Sequence, residues 1–223
     1  MSRFICLLLL LSGLPCYAQS KSNLLPMYGR VPKTQDQLKA DLAFLATADS
    51  LFKKDRHKAS RYYAERGWDY FYQSIVDTAM FRFNQAWLLD STNANVFWGY
   101  GLVAGVQGDF DQSIAFLERS RKMQNENDNL IVDLALSYLK RYTVKAKKED
   151  QANAEKLLNE AVQLNAKNPY ALYNLALLAD SQKDYAKAWD YIHRVRQVNE
   201  KVIVMDFVKQ LKRKMPDPIG FYK

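Results

Sequence analysis

The chain has 223 residues, 48% of them hydrophobic and 13% aromatic, with 32 Lys and Arg against 24 Asp and Glu. That length suits one ordinary core or one short solenoid and requires no second domain. The formal charge of +8 points to anionic partners, whether nucleic acid, lipid headgroups or acidic protein, and the leader at the start of the chain excludes the first of these.

Residues 1–18 hold one basic residue (Arg3), an apolar run from Phe4 to Leu11, the helix breakers Gly13 and Pro15, and then Cys16-Tyr17-Ala18 ahead of Gln19. This is the pattern of a secretory signal peptide cleaved after Ala18. The apolar run is well short of the ~20 residues that span a bilayer. A periplasmic or secreted chain is therefore expected, not integral to a membrane after cleavage, with surface contact left open. Cys16 invites an acylated reading, but bacterial lipoprotein signals resemble Leu, a small residue, then Gly or Ala before the cysteine. Pro15 stands in the last of those places, so acylation is the lesser reading. Cys6 and Cys16 both lie in the leader. The mature chain would hold no disulfide, thiolate metal site or cysteine nucleophile, and would keep a charge of +7 once Arg3 is lost from the +8.

Residues 19–33 are polar and broken by Pro26, Gly29 and Pro32, which reads as an extended lead-in. A helix is expected over 34–58. Thr34 and Gln37 have the spacing of a capping box, and Leu38, Leu42, Leu45 and Phe52 form a stripe. The charged run 53–58 closes it as a solvated connection.

From Ser60 a pattern of small and large residues recurs. Tyr63, Gly67, Tyr70, Ala79, Phe83 and Ala86 return thirty-four positions later as Phe97, Gly101, Ala104, Ser113, Leu117 and Ser120. Ile131, Ala135 and Tyr138 keep that shift, but Ala154, Leu158 and Ala161 arrive seven residues late, which places an insertion near 141–150. Leu172, Ala176, Ala179, Ala188, Ile192 and Val195 make the fourth set. Small residues at these places let helices approach to about 8–10 Å, and each unit buries its apolar face only when a neighbour stacks on it.

This pattern resembles the tetratricopeptide repeat, a helix-turn-helix unit of about 34 residues. It departs from the family at Arg66, where a large apolar residue is usual, and at Ser91, Asn125 and Ala166, where a proline often closes the unit. The resemblance implies an all-α fold, an α-solenoid of antiparallel helix pairs in a right-handed superhelix. The four units are about 60–93, 94–127, 128–168 and 169–202. An amphipathic helix at 203–215 reads as the cap on the last face, with a membrane-surface helix as the sharper alternative. Residues 216–223, after Pro216 and Pro218, read as a loose tail.

No catalytic constellation is apparent, so an enzyme is not expected and no cofactor is implied. Asp109 and Asp111 open like a calcium loop, but Ile114 and Ser120 stand where such a loop needs Gly and Glu, so this is a repeat turn. His57 and His193 read as surface or helix-end histidines. In the resembling family the first helix of each unit lines a concave groove. Carried over, the partner-binding set is Arg61, Trp68, Phe71, Tyr72, Asn95, Trp98, Asn129, Tyr170 and Tyr173. Ala64, Leu102, Val106, Val132, Leu136, Lys140, Leu177 and Asp180 complete the same face. It is aromatic rather than charged, and exposed aromatic patches mark partner sites. The expected function is non-catalytic binding of a protein or peptide partner in the bacterial envelope, unless a terminal helix folds into the groove. Two other readings stay open. One is carbohydrate binding on the stacked rings. The other is a basic module in which Lys140, Arg141, Lys145, Lys147 and Lys148 meet an anionic membrane or an acidic protein.

Overall fold

The computed structural model describes residues 21–124 and 126–222. The leader, the Cys16 question and Asn125 lie outside the described residues. Among the described residues there are ten α-helices and no strand. Helix α1 covers Gln35–Leu51, and four antiparallel pairs follow: α2 (Arg56–Tyr72) with α3 (Val76–Leu89), α4 (Ala94–Val106) with α5 (Phe110–Met123), α6 (Asp128–Lys145) with α7 (Lys148–Leu164), and α8 (Pro169–Ser181) with α9 (Tyr185–Asn199). Helix α10 (Met205–Lys214) closes the series. No described helix is long and apolar enough to cross a membrane.

Short polar side chains start most of these helices. Asn93, Asn127 and Asn168 cap the first helices of the later pairs, and Asp109 and Asp184 cap the second helices α5 and α9, each accepting a first-turn backbone N–H. Within each pair the turn holds one residue in the left-handed region: Ser74, Gly108, Ala146 and Lys183. Only the second pair uses glycine there.

Small residues make the close contacts the repeat requires. A Cβ at Gly67 would sit 2.5 Å from the Phe83 ring, and one at Gly99 would sit 2.4 Å from it. Phe83 is thus a plug set into two side-chain-free sites, one on α2 and one on α4. At Gly101 a Cβ would meet Leu117 at 2.6 Å in the same way.

The inserted residues lengthen both helices of the third pair. Shifted by thirty-four, α4 would end at 140, and α6 runs five residues further. The extended ends meet in a charge cluster. Arg141 bonds Asp150 at 2.7 and 2.8 Å and Asp111 at 2.8 Å, and Lys145 also pairs with Asp111. Lys145 and Arg141 hold the Asp111 carboxyl down at about 2.

Three expectations are corrected. The lead-in is not extended. Lys21–Leu24 and Pro26–Arg30 are 3-10 turns, with Met27, Tyr28, Gly29 and Arg30 all at positive φ. Left-handed backbone costs about 1–2 kcal/mol at each non-glycine residue, and burial offsets it here. Met27 and Tyr28 are buried, Lys33 lies 3.5 Å over the Tyr28 ring, and Tyr28 packs toward Trp87 of α3. Asn84, wholly buried in α3, donates to the carbonyls of Asn23 and Leu25 at 2.9 Å while its Oδ1 accepts from the Tyr100 hydroxyl at 2.7 Å. The segment is a strap across the second-helix side of the first two pairs. Asn84→Ala is expected to lose about 1–3 kcal/mol through the partners left unsatisfied. Hydrogen exchange would then show residues 21–33 losing protection while α6–α9 keep theirs; an unchanged strap would refute the clamp.

The first helix is the second correction: it ends at Leu51 and not at 58, residues 56–58 already belonging to α2, and its stripe is only partly used. Thr34 and Gln37 do form the capping box, but Leu38 and Leu42 are exposed. Contact runs through Phe44 on Tyr63 (5.1 Å), Ala48, and Phe52 on Tyr62 (5.5 Å). Only the C-terminal half of α1 reaches the solenoid, so leucines near its start have nothing to cover.

The third is the tail, which is docked. Trp189, fully buried in α9, stacks against His193 and Tyr222 and donates to the Met215 carbonyl at 3.0 Å. Asp217 accepts from His193 and from the backbone N–H groups of Ile219 and Tyr222, and Arg196 lies 3.0 Å from the Phe221 ring centroid. His193 is accordingly buried rather than a surface residue. His57 is exposed, 2.7 Å from Asp90.

Candidate partner groove

The first helices α2, α4, α6 and α8 form one row, and the face they present holds most of the aromatic set. On α2, Trp68 packs edge-on against Phe83 at 5.5 Å, so the buried plug supports the groove floor. Tyr72 stacks on Trp68 at 5.9 Å and is 76% exposed, and Phe71 meets both rings at 6.0 Å. Trp98 of α4 reaches Trp68 at 5.0 Å, edge to face.

Asp133 of α6 joins this group, and the sequence reading did not single it out. Its Oδ2 accepts the Trp98 indole N–H at 2.7 Å. Burial pushes its carboxyl up to about 6, against the lowering effect of that hydrogen bond. Partial burial, then Asp133 and Tyr170, raise the Tyr72 phenol. One signal was available in the sequence: Asp133 is thirty-four residues after Gly99, so an acid stands where the preceding unit has a site for a ring.

Beside this group lies a cavity of about 370 Å³, lined by Phe71, Leu102, Val106 and Leu136, with Asp133 and Lys140 on its walls. Ser113 and Ser137, also in the lining, bond each other at 2.9 Å.

Other expected positions serve the fold. Ala64 and Val132 are buried core residues, their side chains too short or too inward to reach the groove. Asn129 accepts from Asn168, the α8 cap, at 3.2 Å. Asn95 is half-buried in the first turn of α4, its backbone N–H held by Asn93. Tyr173 packs on Phe207 of α10 at 5.9 Å, and Asp180 pairs with Lys214 of α10, so the terminal helix covers that end. Arg61 and Tyr170 are exposed, Tyr170 by 54%, and Leu177 is marginally so. No group of three His, Cys, Asp or Glu residues able to hold a metal is present among the described residues.

No protein-family model matches the sequence, and no curated protein matches it. Solved structures do. YrrB, a TPR protein with an unusual peptide-binding site, is 16% identical, with coverage of 79% of this chain and 94% of YrrB and a TM-score of 0.52. MamA is 14% identical over 77% of this chain and 97% of its own, at a TM-score of 0.52. A chain of the APC/C hetero-tetramer Cut9–Hcn1 is 14% identical over 78% of this chain but only 34% of its own, at a TM-score of 0.60. At these identities the likeness is one of fold. The chain has the tetratricopeptide-repeat fold, an all-α solenoid.

Proposed function

We propose that this chain is a non-catalytic scaffold of the bacterial envelope, or a secreted one, that binds a segment of a partner protein along the α2–α4–α6 face. The observation that carries the reading is the open aromatic surface of Trp68, Tyr72 and Trp98 beside an apolar cavity. The strap lies on the other side of the solenoid, and α10 meets this face at its far end, at Tyr173 and Asp180. Half-buried tryptophans and an exposed tyrosine with few rotors to freeze are the usual anchors of such surfaces. The envelope setting rests on the leader over 1–18.

The other two readings are less favoured. A sugar ring needs a flat platform, whereas Trp68 and Trp98 meet at 68° and the Trp98 N–H is already engaged. In the basic module, Arg141 and Lys145 are spent on Asp111 and Asp150. A random-peptide display against the purified chain is expected to enrich a restricted set of sequences. Tyr72→Ala, at an exposed ring, is expected to weaken the best of them by about tenfold. Binding that is indifferent to Tyr72→Ala and Trp98→Ala, or signal on a glycan array in place of peptides, would end the proposal.

A further inference from the structure

We infer that the groove selects a peptide segment in which an arginine or lysine adjoins a leucine- or phenylalanine-sized residue, the cation meeting Asp133 and the apolar side chain entering the cavity beside it. This rests on the groove being the binding face.

Asp133 carries the argument. Asp49, Asp111, Asp150 and Asp180 each have a Lys or Arg partner. Asp133, on a cavity wall, has none among the described residues, although the chain has eight more cations than anions. Its one side-chain donor is the neutral indole of Trp98, and its second oxygen takes no protein donor. Half-burying a carboxylate with no cation beside it is costly, which is reflected in its raised pKa. A cationic ligand would offset that cost. The rings of Trp98, Trp68 and Tyr72 crowd the same place, and ring faces add to the attraction for a cation.

The rest of the site fixes what must accompany the charge. The cavity walls are mainly apolar, and the two serines in them satisfy each other. About 370 Å³ lies at the lower end of small-ligand sites, which suits a side chain more than a large cofactor. Lys140 stands two helical turns, roughly 10 Å, beyond Asp133 on α6. It repels a second cation at the far rim, so a single basic residue is read, and in one direction.

The test uses short acetylated, amidated peptides in which Arg, Lys, Gln or Glu precedes Leu, Phe or Ala, titrated against the purified chain by fluorescence anisotropy. Arg and Lys peptides are expected to bind about tenfold or more tighter than the Gln peptides, and Glu peptides weakest. Asp133→Asn keeps an acceptor for Trp98. It is expected to erase the Arg/Gln ratio and to leave the preference for Leu and Phe over Ala. A ratio near one in the unaltered chain, or one that survives Asp133→Asn, overturns the inference. If Tyr72→Ala still weakens every peptide in that event, the groove reading stands alone. Failure of all peptides to bind, or indifference to Tyr72→Ala, removes both. Tetramethylammonium binding as tightly as the Arg peptide would mean a small cation is the occupant, which also overturns the inference.

Discussion

Phe83→Ala is expected to cost about 3–5 kcal/mol of stability, the range for a buried aromatic whose site cannot collapse. Phe83 is wholly buried, and its ring rests against Gly67 and Gly99, which have no side chains with which to fill the space it leaves. Collapse of the cavity would require α2 and α4 to move together. Trp68 and Tyr100, both edge-on to Phe83, would also lose support. Denaturant unfolding measures the cost, and a double-mutant cycle with Gly99→Ala tests the geometry. Alone, Gly99→Ala drives a Cβ into the ring and should cost about 1–3 kcal/mol. With Phe83 already alanine, the clash is gone and the better helix propensity of alanine, up to about 1 kcal/mol, remains. The sign of the Gly99→Ala effect should therefore reverse; a cost that is the same in both backgrounds would refute the plug.

Asp133→Asn is expected to stabilise the protein at neutral pH. The folded carboxyl titrates at about 6, above its ordinary value of 3.8, so between those values the folded chain holds a proton that the unfolded chain has released. Stability contributed by that proton is fully present below about pH 4 and is lost as pH rises through about 6. Asparagine does not titrate, so the variant should match the parent near pH 4 and exceed it by about 1–3 kcal/mol at pH 7. The groups around the carboxyl, Trp98 on α4, Tyr72 on α2 and Lys140 on α6, are the same in both proteins. Urea midpoints from pH 4 to pH 7 check the divergence. A constant offset, or a variant weaker at pH 7, would show that Asp133 is not held against its solvation. A gain in stability from losing a groove charge is what a residue kept for binding would give.

What the sequence made legible was periodic. Gly67, Ala79, Phe83 and Ala86 repeat at fixed shifts because every helix pair faces the same packing problem, so register, helix pairs and the aromatic face could be read without coordinates. What stayed hidden depended on single contacts between distant residues. Pro26 and Gly29 mark a break in regular structure, but nothing near them indicates that Asn84, some sixty residues on, will hold the segment down. Pro216 and Pro218 end a helix without saying that Tyr222 returns to Trp189. Leu38 and Leu42 have helical spacing, and spacing cannot tell how far along α1 the solenoid extends. Within the groove the rings were legible as a row, whereas for Asp133 the sequence offers only its register after Gly99, and its role depends on the Trp98 indole 2.7 Å from it.

The strap has a mechanical consequence for the opposite side of the molecule. It is tied to α3 through Asn84, whose Oδ1 also accepts from the Tyr100 hydroxyl of α4, and its Met27 is buried in the core that the first two pairs share, so it crosses the seam between those pairs from behind. In a solenoid such a seam is a joint, and the front of this one carries Trp68 and Trp98. Spreading those rings would press the rear of the joint against the strap, and pinching them would stretch it, so it acts as a tendon. The spacing of the two tryptophans is therefore set while the chain folds, and a partner of the kind proposed above would give up little free energy to order this wall.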